Sequence, residues 1–395
     1  MRLPRGTPLL LLTLGAAPLT AQMAADSGAF IVRLGNDTLA VERYTRSSAE
    51  LRSDIVLRVP DARRVRYVAT IGDGGAISGL ALALEPLGHG LEASKPAWGV
   101  MRFRGDTADV ALTLGDSIRR IRIPARPGAV PLAAFSHALI EQAILQARRD
   151  GRDSVAFDWV ALGAPKASPS YVVRCATDSV RVAFFGDPSF IKLDETGRIL
   201  GLDGRETTQK VEVERRPTLD LDRYAAEFTA RQEADGPMGP LSPRDTVRAA
   251  IDGVALMVDY GRPRKRGREI FGGVVGWNRI WRLGANIATH FTTEADLEAG
   301  GRTIPAGTYT LWMLPTPGGA TLIVNRQTGQ WGTMYDAARD LARLELRRER
   351  PAAPVDQFTI ALEPSAPGGV LRLSWDTTSF VLPFIVKRPR HATGS

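Results

Sequence analysis

The residues best suited to chemistry stand between Tyr260 and Asn286, where arginines, glycines and tryptophans are more crowded than anywhere else in the chain. A guanidinium group next to an aromatic ring suits a carboxylate, sulfate or phosphate, because it forms paired charge-assisted hydrogen bonds and stacks on the ring. We therefore predict a site for an anionic or glycan-like ligand in this region. The predicted ligand-binding residues are Tyr260, Arg262, Arg266, Arg268, Trp281, Arg282, Asn286 and Trp331.

The same pattern has a second, structural interpretation. Arginines often lie over tryptophans at the edge of a β-sandwich, and glycine-rich motifs often fix the geometry of a loop. The two interpretations place the guanidinium groups differently. A ligand site needs them in a hollow open to solvent, whereas a structural corner pairs them with carboxylates under a closed surface.

Metal and cofactor chemistry have little support in the sequence. A metal site needs two or three histidines or carboxylates close together, and the four histidines are spread singly along the chain. We therefore expect no metal and no cofactor, and we interpret His137 as a structural or surface residue. The histidines are His89, His137, His290 and His391.

Catalysis leaves one alternative open. No Gly-x-Ser-x-Gly nucleophile elbow is present, and we assign no catalytic residue. A hydrolase would need a cleft between two domains in which His290 meets Asp259 or Glu269, because general acid–base work requires groups within about 3 Å of the proton they transfer. The ordinary role of Glu269, beside Arg266 and Arg268, is an ion pair. We expect a binding protein, with a hydrolase as the alternative.

The first 22 residues predict a secretory signal peptide. Arg2 and Arg5 form a positive start, residues 9–14 are an apolar run, and Leu19-Thr-Ala21 is a small-residue cleavage site before Gln22. The apolar run is far shorter than the roughly 20 residues of a spanning helix. We therefore expect an extracytoplasmic protein, periplasmic or secreted, without a transmembrane segment.

Charge and cysteine content limit the partners and the cross-links. The chain has 395 residues, with 51 Lys and Arg against 43 Asp and Glu, and this small positive excess favours anionic partners without selecting among them. No zinc-finger spacing, recognition helix or basic stripe with interleaved aromatics indicates nucleic acid. Cys175 is the only cysteine, so no internal disulfide forms, and its alternating apolar run predicts a buried strand thiol.

The first half of the chain has the pattern of antiparallel strands. Apolar residues alternate with polar ones over short runs, separated by turn signals such as Gly35-Asn-Asp37. Over residues 132–149 the spacing becomes that of a helix, with Leu132, Phe135 and Leu139 on one face. Residues 23–233 are therefore predicted to form a curved antiparallel sheet with one helix packed on it. A short amphipathic helix is predicted over residues 219–232.

The second half predicts a separate domain. Residues 234–243 are rich in proline and glycine and exclude a helix or a central strand, which marks a linker. Residues 244–388 contain many short strand patterns separated by glycine turns, with no crossover helices between them. We predict a β-sandwich or jelly roll there, so the fold class is mainly β. Residues 389–395 are predicted to be a disordered tail.

Several motifs of the second half resemble a known family. They are Tyr260-Gly-Arg-Pro, Arg266-Gly-Arg-Glu-Ile-Phe-Gly272, Trp281-Arg-Leu-Gly-Ala-Asn-Ile-Ala-Thr289, Ile304-Pro-Ala-Gly-Thr-Tyr309, Thr328-Gly-Gln-Trp-Gly-Thr333 and Leu373-Ser-Trp375. Through them, residues 241–385 resemble the bacterial domain-of-unknown-function 2911 family. The resemblance implies a β-rich domain in a secreted protein and assigns no activity, because the family is uncharacterised. The first half carries no such resemblance.

Three functions therefore stand side by side. The first is a non-enzymatic extracytoplasmic protein that binds an anionic or glycan-like ligand through the arginine and tryptophan region. The second is the hydrolase described above. The third is a scaffold that only mediates protein contacts, which a large exposed apolar patch would favour. The oligomeric state is not predicted.

Overall fold

The computed structural model describes residues 26–88, 97–115, 117–184 and 187–387. Strands make up 57% and helices 10% of the structure, which confirms the predicted mainly β class. The predicted signal peptide (residues 1–22) and the predicted tail (residues 389–395) lie outside the described residues.

The first part of the chain forms one sheet of fifteen strands, here called sheet A. Its strands are β1 (Asp26–Leu34), β2 (Asp37–Arg46), β3 (Glu50–Leu57), β4 (Arg63–Ile71), β5 (Ile77–Pro86), β6 (Ala97–Arg104), β7 (Thr107–Leu114), β8 (Ser117–Pro124), β9 (Val130–Leu132), β10 (Ser154–Ala161), β11 (Ser168–Ala176), β12 (Ser179–Phe184), β13 (Asp187–Leu193), β14 (Ile199–Asp203) and β15 (Glu212–Arg216). Strands β1 to β8 run outward in order from one side of the centre, and β15 to β9 run outward from the other. The two arms meet where β1 pairs with β15.

Helix α1 (His137–Arg149) begins later than the predicted residue 132. Residues Val130–Leu132 extend as β9, and the hydroxyl of Ser136 accepts a hydrogen bond from Leu139 N, which fixes the first helical turn at His137. The chain returns from the helix as β10, which runs parallel to β9. A parallel pair needs such a crossover, so this one βαβ unit ends an otherwise antiparallel sheet.

Sheet A curves around α1 and buries it on nearly all sides. Every residue from His137 to Ile144 is buried, including Glu141 and Gln142 on the side opposite the apolar face. The buried charge is matched, because Glu141 receives hydrogen bonds from the backbone amide of Ile199 and from three side chains. Those donors are Tyr44 (2.7 Å), Arg46 (2.8 Å) and Arg215 (2.8 Å).

A second buried carboxylate holds the start of the same helix. Glu42 accepts hydrogen bonds from the backbone amides of His137 (2.6 Å) and Ala138 (3.1 Å) and from the Ser136 hydroxyl (2.7 Å). Burial raises the pKa of Glu42, while these hydrogen bonds oppose the shift, and the ionised form also interacts favourably with the positive end of the helix dipole. Glu42 and Glu141 together fix the position of α1 inside the sheet.

Helix α2 (Leu221–Asp235) covers the outer face of the central strands. Leu221 and Phe228 pack with Ile31, Val41 and Val56, whose strand neighbours face α1 on the other side. Because β1 is covered on both faces, it is an almost continuous buried run rather than an alternating one.

The second part of the chain forms sheet B, whose eleven strands enclose their own core. The strands are β16 (Arg244–Ile251), β17 (Val254–Gly261), β18 (Thr289–Thr293), β19 (Asp296–Ala299), β20 (Arg302–Ile304), β21 (Gly307–Thr316), β22 (Gly319–Asn325), β23 (Asp340–Glu349), β24 (Val355–Pro364), β25 (Gly369–Asp376) and β26 (Thr378–Lys387). Strand β23 pairs with β22 along its first residues and with β26 at residues 347–349. It thereby joins two layers into one nearly closed, barrel-like sheet.

Two predictions about single side chains have different outcomes. The predicted burial of Cys175 is wrong, because the thiol is exposed. The pairing of β11 with β12 shifts register between Arg174 and Ala176, and this bulge breaks the alternation at Cys175. His137 is buried, and burial lowers its pKa to about 4 while the carbonyl of Phe135 opposes the shift, so it is a neutral structural residue.

Replacing Glu141 by Gln tests how α1 is held. The substitution keeps the size of the side chain but leaves Arg46 and Arg215 without its buried negative charge. We expect the free energy of unfolding to fall by about 3 kcal/mol, in the range for one lost partner of a buried ion pair. Urea denaturation measures the change. The matched control is Glu227→Gln in the surface pair with Arg231 on α2, where a change below about 1 kcal/mol is expected. Equal effects of the two substitutions would contradict this account.

Candidate functional site

The arginine-rich stretch connects β17 to β18 as residues 262–288. These strands are antiparallel neighbours, with Asp259 opposite His290, so the connection leaves and re-enters sheet B at the same end of the two strands. There it contacts one end of sheet A. The turn after β1 and the loop before β15 both lie at this end, because Arg33 of β1 is paired with Glu212 of β15. We call this contact between the connection and the end of sheet A the seam.

Two of the three aromatic residues of the predicted site, Tyr260 and Trp281, pack in the sheet B core. Tyr260 is buried, and its hydroxyl is hydrogen-bonded to the backbone amide of Ile360 (2.9 Å). Its ring meets Phe358 edge-on, and Trp281 contacts the same phenylalanine. Trp281 also stacks on Trp375, with ring centroids 5.8 Å apart. Three motifs that are distant in sequence therefore meet in one aromatic cluster, which makes Tyr260 and Trp281 structural.

Most cations of the connection are paired with carboxylates from other segments. Their partners come from β1–β2, β16, β24 and β25, so each pair joins the connection to a different part of the molecule. The pairs are Arg262 with Asp245 (2.9 Å), Arg264 with Asp356 (3.4 Å), Lys265 with Asp376 (2.6 Å) and Arg266 with Asp37. This is the arrangement expected of a structural corner.

Arg266 is the strongest contact across the seam. Its side chain is almost fully buried against Asp37, and its carbonyl accepts a hydrogen bond from Asn36 N (2.9 Å). Gly35 has a φ of +59°, and a Cβ there would lie 2.2 Å from the carbonyl oxygen of Arg266, so glycine at this position allows the close approach of the two backbones. Burial raises the pKa of Asp37, but the charges and hydrogen bonds of Arg266 and Arg58 outweigh it and hold the pKa below its usual value.

Four other cations lie near one another at the seam. We call them the seam cluster: Lys210, Arg268, Arg279 and Arg282. The three arginines belong to the connection, whereas Lys210 belongs to the loop between β14 and β15. Glu206 in the same loop pairs with Arg279. Burial lowers the pKa of Lys210, and the three arginines lower it further against the opposing effect of Glu206.

Arg268 is held by backbone rather than by a carboxylate. Its guanidinium group donates to the carbonyls of Lys265 (3.0 Å) and Arg264 (2.6 Å), and it makes no ion pair with any carboxylate in the described part of the chain. Burial and the nearby charge of Arg266 lower the pKa of Arg268 to about 10, although Asp37 opposes the shift. Its positive charge is therefore only partly neutralised by the protein.

The seam cluster continues into an exposed strip with aromatic and apolar side chains. The Arg282 side chain lies against Gly332, whose backbone amide donates to the carbonyl of Asn286 (2.9 Å). Asn286 and Trp331 are exposed, and a backbone bridge between Ile287 and Trp331 places those two residues side by side. The exposed apolar residues of this strip are Ile287, Trp331 and Met334.

The structure therefore divides the predicted site residues into two groups. Tyr260, Arg262, Arg266 and Trp281 are engaged in the core or in ion pairs. Arg268, Arg282, Asn286 and Trp331 lie at or beside the seam cluster. Sequence reasoning did not single out Lys210, Arg279 or Glu206, because the contact between the β14–β15 loop and the connection is not visible in either segment alone.

The pair required by the hydrolase alternative is only partly assembled. Asp259 and His290 face each other across β17 and β18, but both are already engaged. Arg244 forms an ion pair with Asp259 (2.8 Å), and Nε2 of His290 accepts a hydrogen bond from Gly329 N (2.9 Å). Glu269 is exposed and forms no ion pair among the described residues. Its predicted pairing with the neighbouring arginines is therefore wrong, since those arginines bind other groups.

Two further observations concern metals and membranes. Within residues 26–88, 97–115, 117–184 and 187–387, no group of three histidine, cysteine or acidic side chains is placed to hold a metal ion. No described helix combines the length and the apolar character needed to cross a bilayer.

Replacing Arg266 by Ala tests the contact across the seam. The change leaves Asp37 with Arg58 alone and removes a buried cation, so we expect a loss of about 3 kcal/mol in the free energy of unfolding. Arg264→Ala is the matched control in the same loop, since its pair with Asp356 is exposed and contributes less than about 1 kcal/mol. Urea denaturation of both variants is the measurement. A loss for Arg266→Ala no larger than that for the control would show that the contact contributes little.

Comparison with known proteins gives a family match in the second part of the chain. No curated protein matches the sequence. Among solved structures, the chain is similar to a DUF1089 family protein from Pseudomonas aeruginosa, with 13% sequence identity over 42% of this chain and 90% of that chain and a TM-score of 0.32. The resemblance carried by the motifs of the second half is confirmed: residues 242–384 match the family described as protein of unknown function (DUF2911), and the N-terminal part matches no family.

Proposed function

We propose that the protein is a non-enzymatic, extracytoplasmic binding protein whose anionic ligand is held at the seam cluster. The site consists of Lys210, Arg268, Arg279 and Arg282, with Asn286 and Trp331 beside it. The extracytoplasmic location rests on the signal-peptide pattern of residues 1–22.

The positive charges of Lys210 and Arg268 carry this proposal, because both side chains donate to backbone carbonyls and neither forms an ion pair with a carboxylate of the described residues. Two acidic groups near the cluster, Glu206 and Asp37, are already engaged. Glu206 pairs with Arg279, and Asp37 pairs with Arg266 and Arg58. Like charges held close together in a partly buried place repel each other, so a bound anion would relieve a repulsion that the protein alone does not.

The neighbouring residues indicate the kind of anion. Guanidinium groups bind carboxylate, sulfate or phosphate through paired hydrogen bonds, and Asn286 offers both a donor and an acceptor for a hydroxyl or amide group. Trp331 presents an exposed ring next to these groups, which suits the face of a sugar. A glycan that carries carboxylate or sulfate groups matches this combination better than a small inorganic ion does.

Binding is favoured over hydrolysis by the state of His290 and Asp259. A general base needs a free lone pair directed at the substrate, but Nε2 of His290 is taken by Gly329 N. Asp259 is neutralised by Arg244. The charges of the seam cluster can therefore hold an anion, whereas this pair is not arranged to transfer a proton.

The double variant Lys210→Ala with Arg279→Ala tests the site. A charge-assisted hydrogen bond contributes about 1.5–3 kcal/mol, so removing both cations should weaken binding of a galacturonate oligosaccharide by tenfold or more. Isothermal titration calorimetry at low and high salt is the measurement, with inorganic phosphate as a second probe. Arg302→Ala with Arg350→Ala is the control, because both arginines are exposed and belong neither to the connection nor to the β14–β15 loop. The proposal would be contradicted if neither anion binds, or if the site variant and the control variant bind the oligosaccharide with equal affinity.

The pH dependence of binding gives a second test. Burial lowers the pKa of Lys210, so its ammonium group loses its proton at lower pH than an exposed lysine does. Anion affinity should therefore be constant near neutral pH and should fall as the pH rises through the lowered pKa, measured from about pH 7 to about pH 9.5. Lys210→Arg is the matched variant, because a guanidinium group stays protonated over this range. An identical pH profile for the wild type and Lys210→Arg would show that Lys210 does not contact the anion.

A further inference from the structure

A second feature, unrelated to the seam, lies on the outer face of β6, β7 and β8. The pairing register places Trp98, Thr113 and Ile118 in one row across these three strands. Val100 lies in the next row on the same face. Trp98 is 64% exposed, Ile118 is 55% exposed and Val100 is 40% exposed. Large apolar side chains thus stand together on a surface where antiparallel sheets normally carry polar residues.

The exposure of these residues does not come from poor packing of the strands. The opposite face of the same three strands belongs to the core of sheet A, where Met101, Val110 and Ile123 are buried. Because side chains alternate along a strand, the register that buries these three residues directs Trp98, Val100 and Ile118 outward. The apolar row is therefore a fixed part of the folded surface.

Arginines follow the apolar residues along the same face. Arg120 lies in the row of Val100. The next row contains Arg102, Asp109 and Arg122, and the row after it contains Arg104. Asp109 is the carboxylate of these rows, and it pairs with Arg122 (2.8 Å). The hydrogen bond from Arg122 and the charges of Arg122 and Arg104 hold the pKa of Asp109 below its usual value. Arg102 and Arg120 make no ion pair with carboxylates of the described residues, so the face has a positive excess.

We propose that this face docks on a lipid surface that carries anionic headgroups. Trp98, Val100 and Ile118 enter the boundary between headgroups and acyl chains, and Arg102, Arg104 and Arg120 bind phosphate groups at the headgroup level. Tryptophan is enriched at this depth, and basic residues next to it are attracted by anionic lipids. A soluble glycan would gain affinity from Trp98 but little from Val100 and Ile118. A lipid surface, with an apolar layer below a charged layer, suits all three side chains.

The test is sedimentation of the full-length protein with vesicles of phosphatidylcholine alone or with added phosphatidylglycerol. We expect binding to the phosphatidylglycerol vesicles, little binding to phosphatidylcholine, and weaker binding at high salt. Trp98→Ala should weaken binding roughly tenfold through loss of the interfacial ring. Each arginine should contribute roughly fivefold to vesicle binding, so Arg102→Ala with Arg120→Ala should weaken binding at least tenfold.

Controls separate docking from general effects. Phe190→Ala removes another exposed aromatic ring, on β13 of the same sheet, and Arg302→Ala with Arg350→Ala removes two exposed arginines in the second part of the chain. These variants should bind as the wild type does. Circular dichroism and the urea midpoint check that every variant is folded, and free glycerol phosphate should not displace the protein from vesicles.

Three results would overturn the proposal. The first is no binding to phosphatidylglycerol vesicles. The second is unchanged binding by folded Trp98→Ala, which would leave only a charge contact without insertion. The third is a dimer of the wild type in solution that Trp98→Ala converts to a monomer, because the face would then be covered by a second copy. The Lys210 and Arg279 variants leave this face intact, so failure of the seam proposal would not affect it.

Discussion

The ion pair between Arg266 and Asp37 is the contact on which the arrangement of the two sheets depends. The arginine side chain is almost fully buried, the hydrogen bond from Asn36 N supports the pair, and the close approach of the two backbones depends on glycine at position 35. Burying two charges costs desolvation free energy, and removing one partner costs more because it leaves the other charge buried and unpaired. A pair of this kind therefore favours one geometry. The same contact brings Lys210 near the arginines of the connection.

The family motifs in the second part are explained largely by this architecture. Tyr260, Trp281 and Trp375 come from three motifs and meet around Phe358. The motif at residues 328–333 supports the end of the connection through the hydrogen bond from Gly332 to Asn286. Packing and ion pairs thus hold most side chains of a motif rich in arginine and tryptophan in place. A ligand can reach only the side chains at the border of the motif.

The sequence was sufficient for features that depend on local patterns. Alternation predicted the mainly β class, helical spacing predicted α1 and α2, and motif order indicated the family of residues 242–384. It was insufficient where a distant partner decides the outcome. The start of α1 depends on Ser136 and on β9, and the exposure of Cys175 depends on a bulge against β12. The cations of the connection were visible, but their partners Asp37, Asp245 and Asp376 are remote and could not be assigned.

The pairing of β1 with β15 has a consequence for how the first part reaches its folded state. These two strands occupy the middle of sheet A, yet they come from its opposite ends in sequence. Until Arg216 has left the ribosome, β1 has one unpaired edge, and the two arms cannot close around α1. Contacts between such distant segments are slow to form, and open strand edges favour aggregation. The central pair of this sheet can therefore form only after the whole first part of the chain has been synthesised.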